Sequence, residues 1–253
     1  MYNNLTTNVM SHVKNADAYS RLVGICTGYG GKYNPGRQTL QLNAMRALLK
    51  AVQSSLQDVS QKRNALSGIT NERTRAYKHL DLLISRIIGT LKASQVSEET
   101  LANARYYSRL ITGRMKSGTN SNRLAVPSED NESESIVKRS MTQQSYVAKA
   151  FNFMRLAQLI EMVPGYASAA PELKPAALKV EAEKLMALNE SWSIAKVALA
   201  NARIHRNTLL YKGAGSLYSN ALAIKNYLRV EFGSKSPQSA QLSELSFTKR
   251  KIR

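Results

Sequence analysis

The residues best placed for chemistry lie in a glycine-rich stretch, Gly24, Gly28, Gly30 and Gly31 followed by Lys32. Backbone amides in such a stretch can cradle phosphate oxygens. A phosphate loop requires glycine, four residues, then Gly-Lys-Ser/Thr, set between a strand and a helix. Counting back from Gly31-Lys32 reaches Cys26 where glycine is required, and Tyr33 stands where a hydroxyl must hold the metal. The preceding residues are patterned as a helix. A dinucleotide fingerprint fails too, because Gly28-x-Gly30 is followed by Tyr33 instead of a third glycine. The stretch reads as a structural turn.

A carboxylate-bridged metal site in a helical bundle needs Glu-x-x-His pairs projecting inward. The histidines are His12, His79 and His205, and none has glutamate three residues earlier. His205, beside Arg206, is expected at the surface or its rim. Ser11-x-x-Lys14 and Ser193-x-x-Lys196 share the nucleophile spacing of some serine acyl-enzymes. No Ser-Asp-Asn or Lys-Thr-Gly companion accompanies them, and so short a pattern arises readily in a chain rich in both residues. A single cysteine, Cys26, excludes an internal disulfide framework and a cysteine-based zinc site. The expectation is a protein that is not an enzyme, with no catalytic or metal-binding residue and no cofactor.

What stands out is charge. The chain of 253 residues carries 36 Lys+Arg against 17 Asp+Glu, a formal +19. Residues 1–113 hold 15 basic and 6 acidic (+9), 114–145 hold 5 and 4 (+1), and 146–253 hold 16 and 7 (+9). Basic residues concentrate at Lys62-Arg63, at Arg73 and Arg75 with Lys78, and at Arg203, Arg206 and Lys212. Arg105 and Arg109 flank Tyr106-Tyr107, and Lys249, Arg250, Lys251 and Arg253 close the sequence. All of these are candidate polyanion-binding residues. Self-repulsion disfavours a compact state, and a polyanion relieves it. Double-stranded DNA presents a charge about every 1.7 Å, so a basic helical surface would release many counterions on it. No zinc finger, basic zipper or RNA-recognition signature supplies base readout.

The elements that must position these residues are helical. Apolar residues make up 43%, with only 13 glycines and 6 prolines, a balance that favours helices over a sandwich or barrel. The two halves carry one pattern at an offset of 133, Tyr33 against Tyr166 and Leu40 against Leu173. From Leu40, steps of three and four run through Ala44, Ala47, Ala51, Ser55 and Val59 to Arg73 and Ala76. From Leu173 they run through Ala177, Val180, Lys184, Leu188 and Trp192 to Arg206 and Leu209. Each set lies on one helix face. The pattern predicts a helix of about 40 residues, roughly 60 Å long, in each half. Gly68 leaves a helix-turn-helix open in the first. Arg73 and Arg206 occupy equivalent seam positions, where the stems are expected to pack and the heads to reach water or a carboxylate.

A shorter amphipathic helix precedes each long one, Leu5 to Leu22 and Tyr146 to Ile160, and another apolar helix follows. In the first half that following helix is Leu80 to Leu91, in the second Leu217 to Leu228. Leu91 matches Leu228 at an offset of 137, and Lys212-Gly213-Ala214-Gly215 absorbs the extra four. A further helix, about Glu98 to Ile111, starts at Ser97 as N-cap. Residues 114–145, with the acidic run Glu129, Asp130, Glu132 and Glu134, read as a polar flexible linker. The expected fold is all-α: two tandem antiparallel helical bundles, 1–113 and 146–253, each built around a long central helix. The second ends in a basic tail in which Leu242, Leu245 and Phe247 form a docking strip.

This plan resembles uncharacterised bacterial proteins made of two copies of an all-helical unit. The residues that carry the resemblance are Tyr33-Asn34-Pro35, Asn201-Ala202-Arg203, Arg206-Asn207, Leu210-Tyr211, and Tyr227 with Phe232-Gly233. The first half departs from it, lacking the Arg-Asn and Phe-Gly pairs at the matching places. That family has no established activity, so the resemblance implies a fold and transfers no site.

The most apolar stretch, Leu80 to Leu91, is interrupted by Asp81 and Arg86 and falls short of the ~20 residues that span a bilayer. The N-terminus lacks a leader pattern. The expectation is a cytoplasmic protein without a transmembrane segment. The expected function is a non-enzymatic binding or architectural protein that engages DNA or RNA phosphate backbones without sequence specificity. The alternative is a structural or protein–protein interaction module, through self-association or a protein partner, with a peripheral membrane role behind both. Equal charge on the two helical halves predicts a bivalent basic surface.

Overall fold

A computed structural model describes residues 3–113 and 145–249. Almost all of the expected linker, 114–144, and the candidate cations Arg250, Lys251 and Arg253 lie outside the described residues. Among those described there is no strand. The helices are α1 (Asn3–Gly28), α2 (Leu42–Ala93), α3 (Glu98–Thr112), α4 (Tyr146–Glu161), α5 (Pro175–Tyr211), α6 (Leu217–Phe232) and α7 (Pro237–Ser243).

Serines start four of these helices. Ser97, Ser145, Ser216 and Ser236 each place the side-chain oxygen where it accepts the amide of the residue three positions on, heading α3, α4, α6 and α7. Each cap satisfies an amide that has no partner inside its own helix. Ahead of α2 and α5 stand short 3-10 turns, Gln38–Leu40 and Pro171–Leu173, each burying its leucine.

The first long helix is longer than expected. α2 runs unbroken for 52 residues, about 78 Å, and takes in the segment from Leu80 to Leu91 that the sequence pattern marks as a separate helix. No proline interrupts it, and Gly68 sits inside it with open space where a Cβ would stand. α5 stops at Tyr211, where Gly213 takes a positive φ of 80°. Glycine reaches that region without steric cost. The four extra residues of the second half therefore become a break. Beyond it the burial pattern matches: Leu80, Ile84, Ile87 and Leu91 are buried in α2, and Leu217, Ala221, Ile224 and Leu228 in α6.

The seam is also displaced over part of its length. Met45 and Val52 are buried in place of Ala44 and Ala51, and Leu178 and Leu185 in place of Ala177 and Lys184. Val180, placed on the seam by its spacing, is 64% exposed. The larger side chains one position on remove more apolar surface from water, which sets the helix rotation. At Ser55, Val59 and Arg73, and at Leu199, Ala202 and Arg206, the predicted positions are the buried ones, whereas Lys62 on the predicted seam is exposed and Tyr77 is buried in place of Ala76.

The compact units do not follow the expected division at 1–113 and 146–253. One unit comprises residues 1–66 and 195–253, the other 67–194. The first unit thus takes α1, α2 as far as Leu66, α5 from Ala195, and α6 and α7. Its core gathers Tyr19, Leu22, Met45, Val52, Leu210, Leu217 and Leu228, and Leu242 and Leu245 of the docking strip join it, with Phe247 packed alongside. A smaller cluster of Val59, Leu199 and Ala202 lies in the same unit. The second unit takes the rest of α2, α3, α4 and α5 as far as Ile194. Its core gathers Ile84, Ile87, Leu101, Ile111, Phe153, Leu156, Leu178 and Leu185. Each unit completes its core with part of a long helix from the other half of the sequence.

Candidate polyanion-binding surface

Burial disarms the cysteine as a nucleophile. Cys26 is fully buried in the first unit, and loss of solvent pushes its thiol up to about 12. A thiol with so high a pKa is neither a nucleophile nor a ready metal ligand at neutral pH. The glycine-rich stretch is the end of α1 followed by the turn Gly30–Lys32, with a helix and not a strand before it. His12 is buried, whereas His79 and His205 are exposed. Among the described residues no group of three or more His, Cys, Asp and Glu gathers as metal ligands would.

The regrouping of segments changes the charge distribution. The first unit holds 19 Lys and Arg against 4 Asp and Glu, a net +15. The second holds 17 against 13, a net +4. The expected equal shares are a property of the sequence halves; the folded units divide the charge unevenly. Four carboxylates cannot neutralise nineteen cations. Of the four, Asp17 meets Arg21 at 2.8 Å across one turn of α1.

Lys62 and Arg63 of α2, Arg203 of α5, Lys212 after it and Lys249 near the C-terminus are all exposed in the first unit. Several cations that do not stand out in the sequence join them. Arg46 reaches Thr27 at the end of α1 (3.2 Å), with Lys50 one turn further along α2. Arg37 donates to the Ala214 carbonyl at 3.5 Å, beside Lys212. The spacing of Arg46 and Lys50, four residues on one face, is the signal that could have found them.

In the second unit Arg75, Lys78 and Arg109 are exposed. Arg105 is half-buried, with Glu98 3.9 Å away. The Tyr106 and Tyr107 rings pack edge to face at 5.7 Å.

Arg73 and Arg206 are not surface residues. Each is only 8% exposed. The Arg73 guanidinium lies 4.0 Å from the Trp192 ring centroid and 4.5 Å from that of Tyr146, and its buried Nε has no hydrogen-bond partner. Burial pulls its pKa down, with Tyr146 and Tyr77 opposing. Its stem packs as expected, and its head lies against two aromatic faces, whose negative quadrupoles attract it. Trp192 is held in turn by Thr70 Oγ1 at 3.1 Å. Arg206 donates to Asn207 Oδ1 at 3.1 and 2.7 Å.

Two buried polar networks brace the units. In the second, Tyr77 Oη donates to the Tyr146 carbonyl at 2.6 Å and accepts from Asn189 Nδ2 at 2.8 Å. Burial pushes the Tyr77 phenol up to about 12. In the first, Tyr211 Oη sits 2.8 Å from His12 Nδ1 and accepts from Asn15 Nδ2 at 3.2 Å. Asn15 also binds Thr248 twice, donating to its carbonyl and accepting its amide, each at 3.0 Å. Three residues earlier, Lys225 Nζ donates to the Leu245 carbonyl at 2.7 Å. Sequence reasoning passes over Asn15 and Asn189 and weighs His12 only as a metal ligand. Their signal is a polar residue on a buried helical stripe: His12 and Asn15 precede Tyr19, Leu22 and Cys26 in steps of three and four.

An all-helical protein with one strongly cationic unit is the class these observations define. Comparison with known protein families, with curated proteins and with solved structures finds no match to this chain. Among the described residues no helix is long and apolar enough to cross a membrane.

Proposed function

We propose that this protein is a non-enzymatic binding or architectural protein that engages the phosphate backbone of DNA or structured RNA without reading sequence, through its first unit. The observation that carries the reading is the net +15 of residues 1–66 and 195–253. Such a surface condenses small anions in isolation and releases them when a polyanion replaces them. The reading includes a cytoplasmic protein of the tandem-repeat, all-helical kind found in bacteria. Supporting the repeat, Tyr33 bonds the Leu40 carbonyl and Tyr166 bonds that of Leu173, at the same 133-residue offset.

The test is binding of the full chain to a random-sequence duplex across a salt series, read by fluorescence anisotropy. The logarithm of affinity should fall linearly with that of salt concentration, by about 0.9 per phosphate neutralised. Lys62→Gln with Arg63→Gln should weaken binding more than Arg75→Gln with Lys78→Gln. No retention at low salt, or affinity indifferent to salt, overturns the proposal.

A second reading, a module that assembles with another copy of itself, is favoured by one observation. Val147, Phe151 and Met186 of the second unit are exposed around a groove of about 380 Å³. The unit's net +4 opposes self-association less than the first unit's charge does. Sedimentation decides it: a strictly monomeric species at high concentration removes this reading.

A further inference from the structure

The groove between α4 and α5 in the second unit carries both halves of a contact. Val147 and Phe151 line it from α4, and Met186 and Glu190 from α5. Val147, Phe151 and Met186 are exposed, so its apolar walls stand in water.

Spacing sets the exposed residues in two rows. On α4, Val147, Phe151 and Arg155 follow at steps of four. On α5, Glu183, Met186 and Glu190 follow at steps of three and four. Each row lies on one helix face. The first is apolar with a cation at its end. The second is a methionine between two carboxylates.

Arg155, Glu183 and Glu190 are all exposed. Among the described residues none of the three makes an ion pair. The Arg155 guanidinium instead lies over the Phe151 ring, 4.7 Å from its centroid. Ring and stem together form an apolar knob with a positive cap.

A second copy of the chain matches every one of these features. A two-fold axis running along the helices, midway between them, lays α4 of each copy on α5 of the other. Such a contact is isologous, so each interaction in it is made twice. Phe151 of each copy meets the groove beside the other's Met186. Arg155 of each meets the other's row of Glu183 and Glu190. Any other partner would have to supply both signs of charge in the complementary order. The balance of charge agrees. The second unit holds a net +4 against +15 on the first, so two copies repel each other least through the second unit.

We propose that a second copy of this chain docks on the α4–α5 face, with Phe151 as the apolar anchor and Arg155 matched to Glu183 and Glu190. The inference rests on the self-assembly reading above and adds to it the face, the anchor and the symmetry. Aromatic and arginine side chains are the residue types that most often dominate such contacts. The groove seats only a few side chains, so the dimer is weak and depends on concentration.

Sedimentation velocity of the full chain over a wide range of concentration reads the monomer–dimer equilibrium. Phe151→Asp should weaken dimerisation about ten-fold or more. Arg155→Glu should do the same, and so should Glu183→Arg with Glu190→Arg, because each brings like charges together in both halves of the contact. Mixing these two charge variants should restore dimers, since every pairing in the mixed dimer is again opposite in sign. A folding defect does not reproduce that restoration. The substituted side chains are all exposed, and circular dichroism checks that the helices are kept. If the unsubstituted chain dimerises, this inference alone is overturned by undiminished dimerisation of any of the three variants, or by charge variants that stay apart when mixed. A monomer at every concentration overturns the self-assembly reading and this inference with it, and leaves the groove to a different partner.

Discussion

Tyr33 donates its hydroxyl to the carbonyl oxygen of Leu40 at 2.6 Å, closing the turn that leads into α2. Tyr166 does the same for Leu173 at 2.9 Å ahead of α5. The carbonyl belongs to a leucine that the 3-10 turn buries, so removing the donor leaves an acceptor short of a partner. Tyr33→Phe should therefore lower the unfolding free energy by about 1–3 kcal/mol. Tyr166, which is only half-buried, should lose less on the same change. Urea denaturation followed by circular dichroism measures both; a Tyr33→Phe protein as stable as the original contradicts the assignment.

Arg73 separates burial from charge. It has two aromatic rings against it and no carboxylate, and its Nε lacks a partner. Arg73→Met keeps most of the volume and removes a poorly compensated buried cation, and it should change stability by less than about 1.5 kcal/mol in either direction. Arg73→Ala should cost about 2–4 kcal/mol by leaving a cavity between the rings. Neither should alter the salt dependence of nucleic-acid binding, because the guanidinium is not on the surface. A loss of slope in Arg73→Met would return Arg73 to the binding residues.

Gly68 lies within α2, has no positive φ, and leaves open space where an added methyl group would stand. Gly68→Ala should raise stability by about 0.4–1 kcal/mol, chiefly by restricting the unfolded chain. Gly213, at φ 80°, should respond in the opposite sense to the same substitution. Thermal midpoints of the two variants settle whether α2 is continuous there and α5 is stopped there.

Cys26 gives a pH dependence. Its folded thiol is pushed up to about 12, against an ordinary value near 8.5 in the unfolded chain. Above that ordinary value the unfolded state sheds its proton and the folded state keeps it, so stability falls as pH rises. By pH 9.5 the loss should reach about 1.4 kcal/mol. Cys26→Ala starts from a lower stability but should show a correspondingly flatter decline between pH 7.5 and 9.5. Parallel declines in the two proteins would contradict the shift.

Much of the local structure is legible in the sequence. Ser97 announces α3, and its side chain does accept the Thr100 amide. The offset of 137 between Leu91 and Leu228 extends to three further buried pairs. Other features escape it for physical reasons. Two stretches expected as separate helices merge into α2 because nothing between Ala76 and Leu80 breaks the backbone ladder. The seam at Ala44 and Ala51 gives way to Met45 and Val52 because a step count of three and four leaves the helix rotation open by one residue.

Helix formation, capping and the repeat offset depend on residues within a turn or two of one another, and the order of amino acids specifies them directly. The grip of Asn15 on Thr248 spans 233 residues, and that of Asn189 on Tyr77 spans 112. A 3.6-residue period marks which face of a helix is apolar. It says nothing of which other apolar face will cover it, because burial of apolar surface is not directional. The fold alone groups residues 1–66 with 195–253, and with that grouping two equal shares of +9 become +15 and +4.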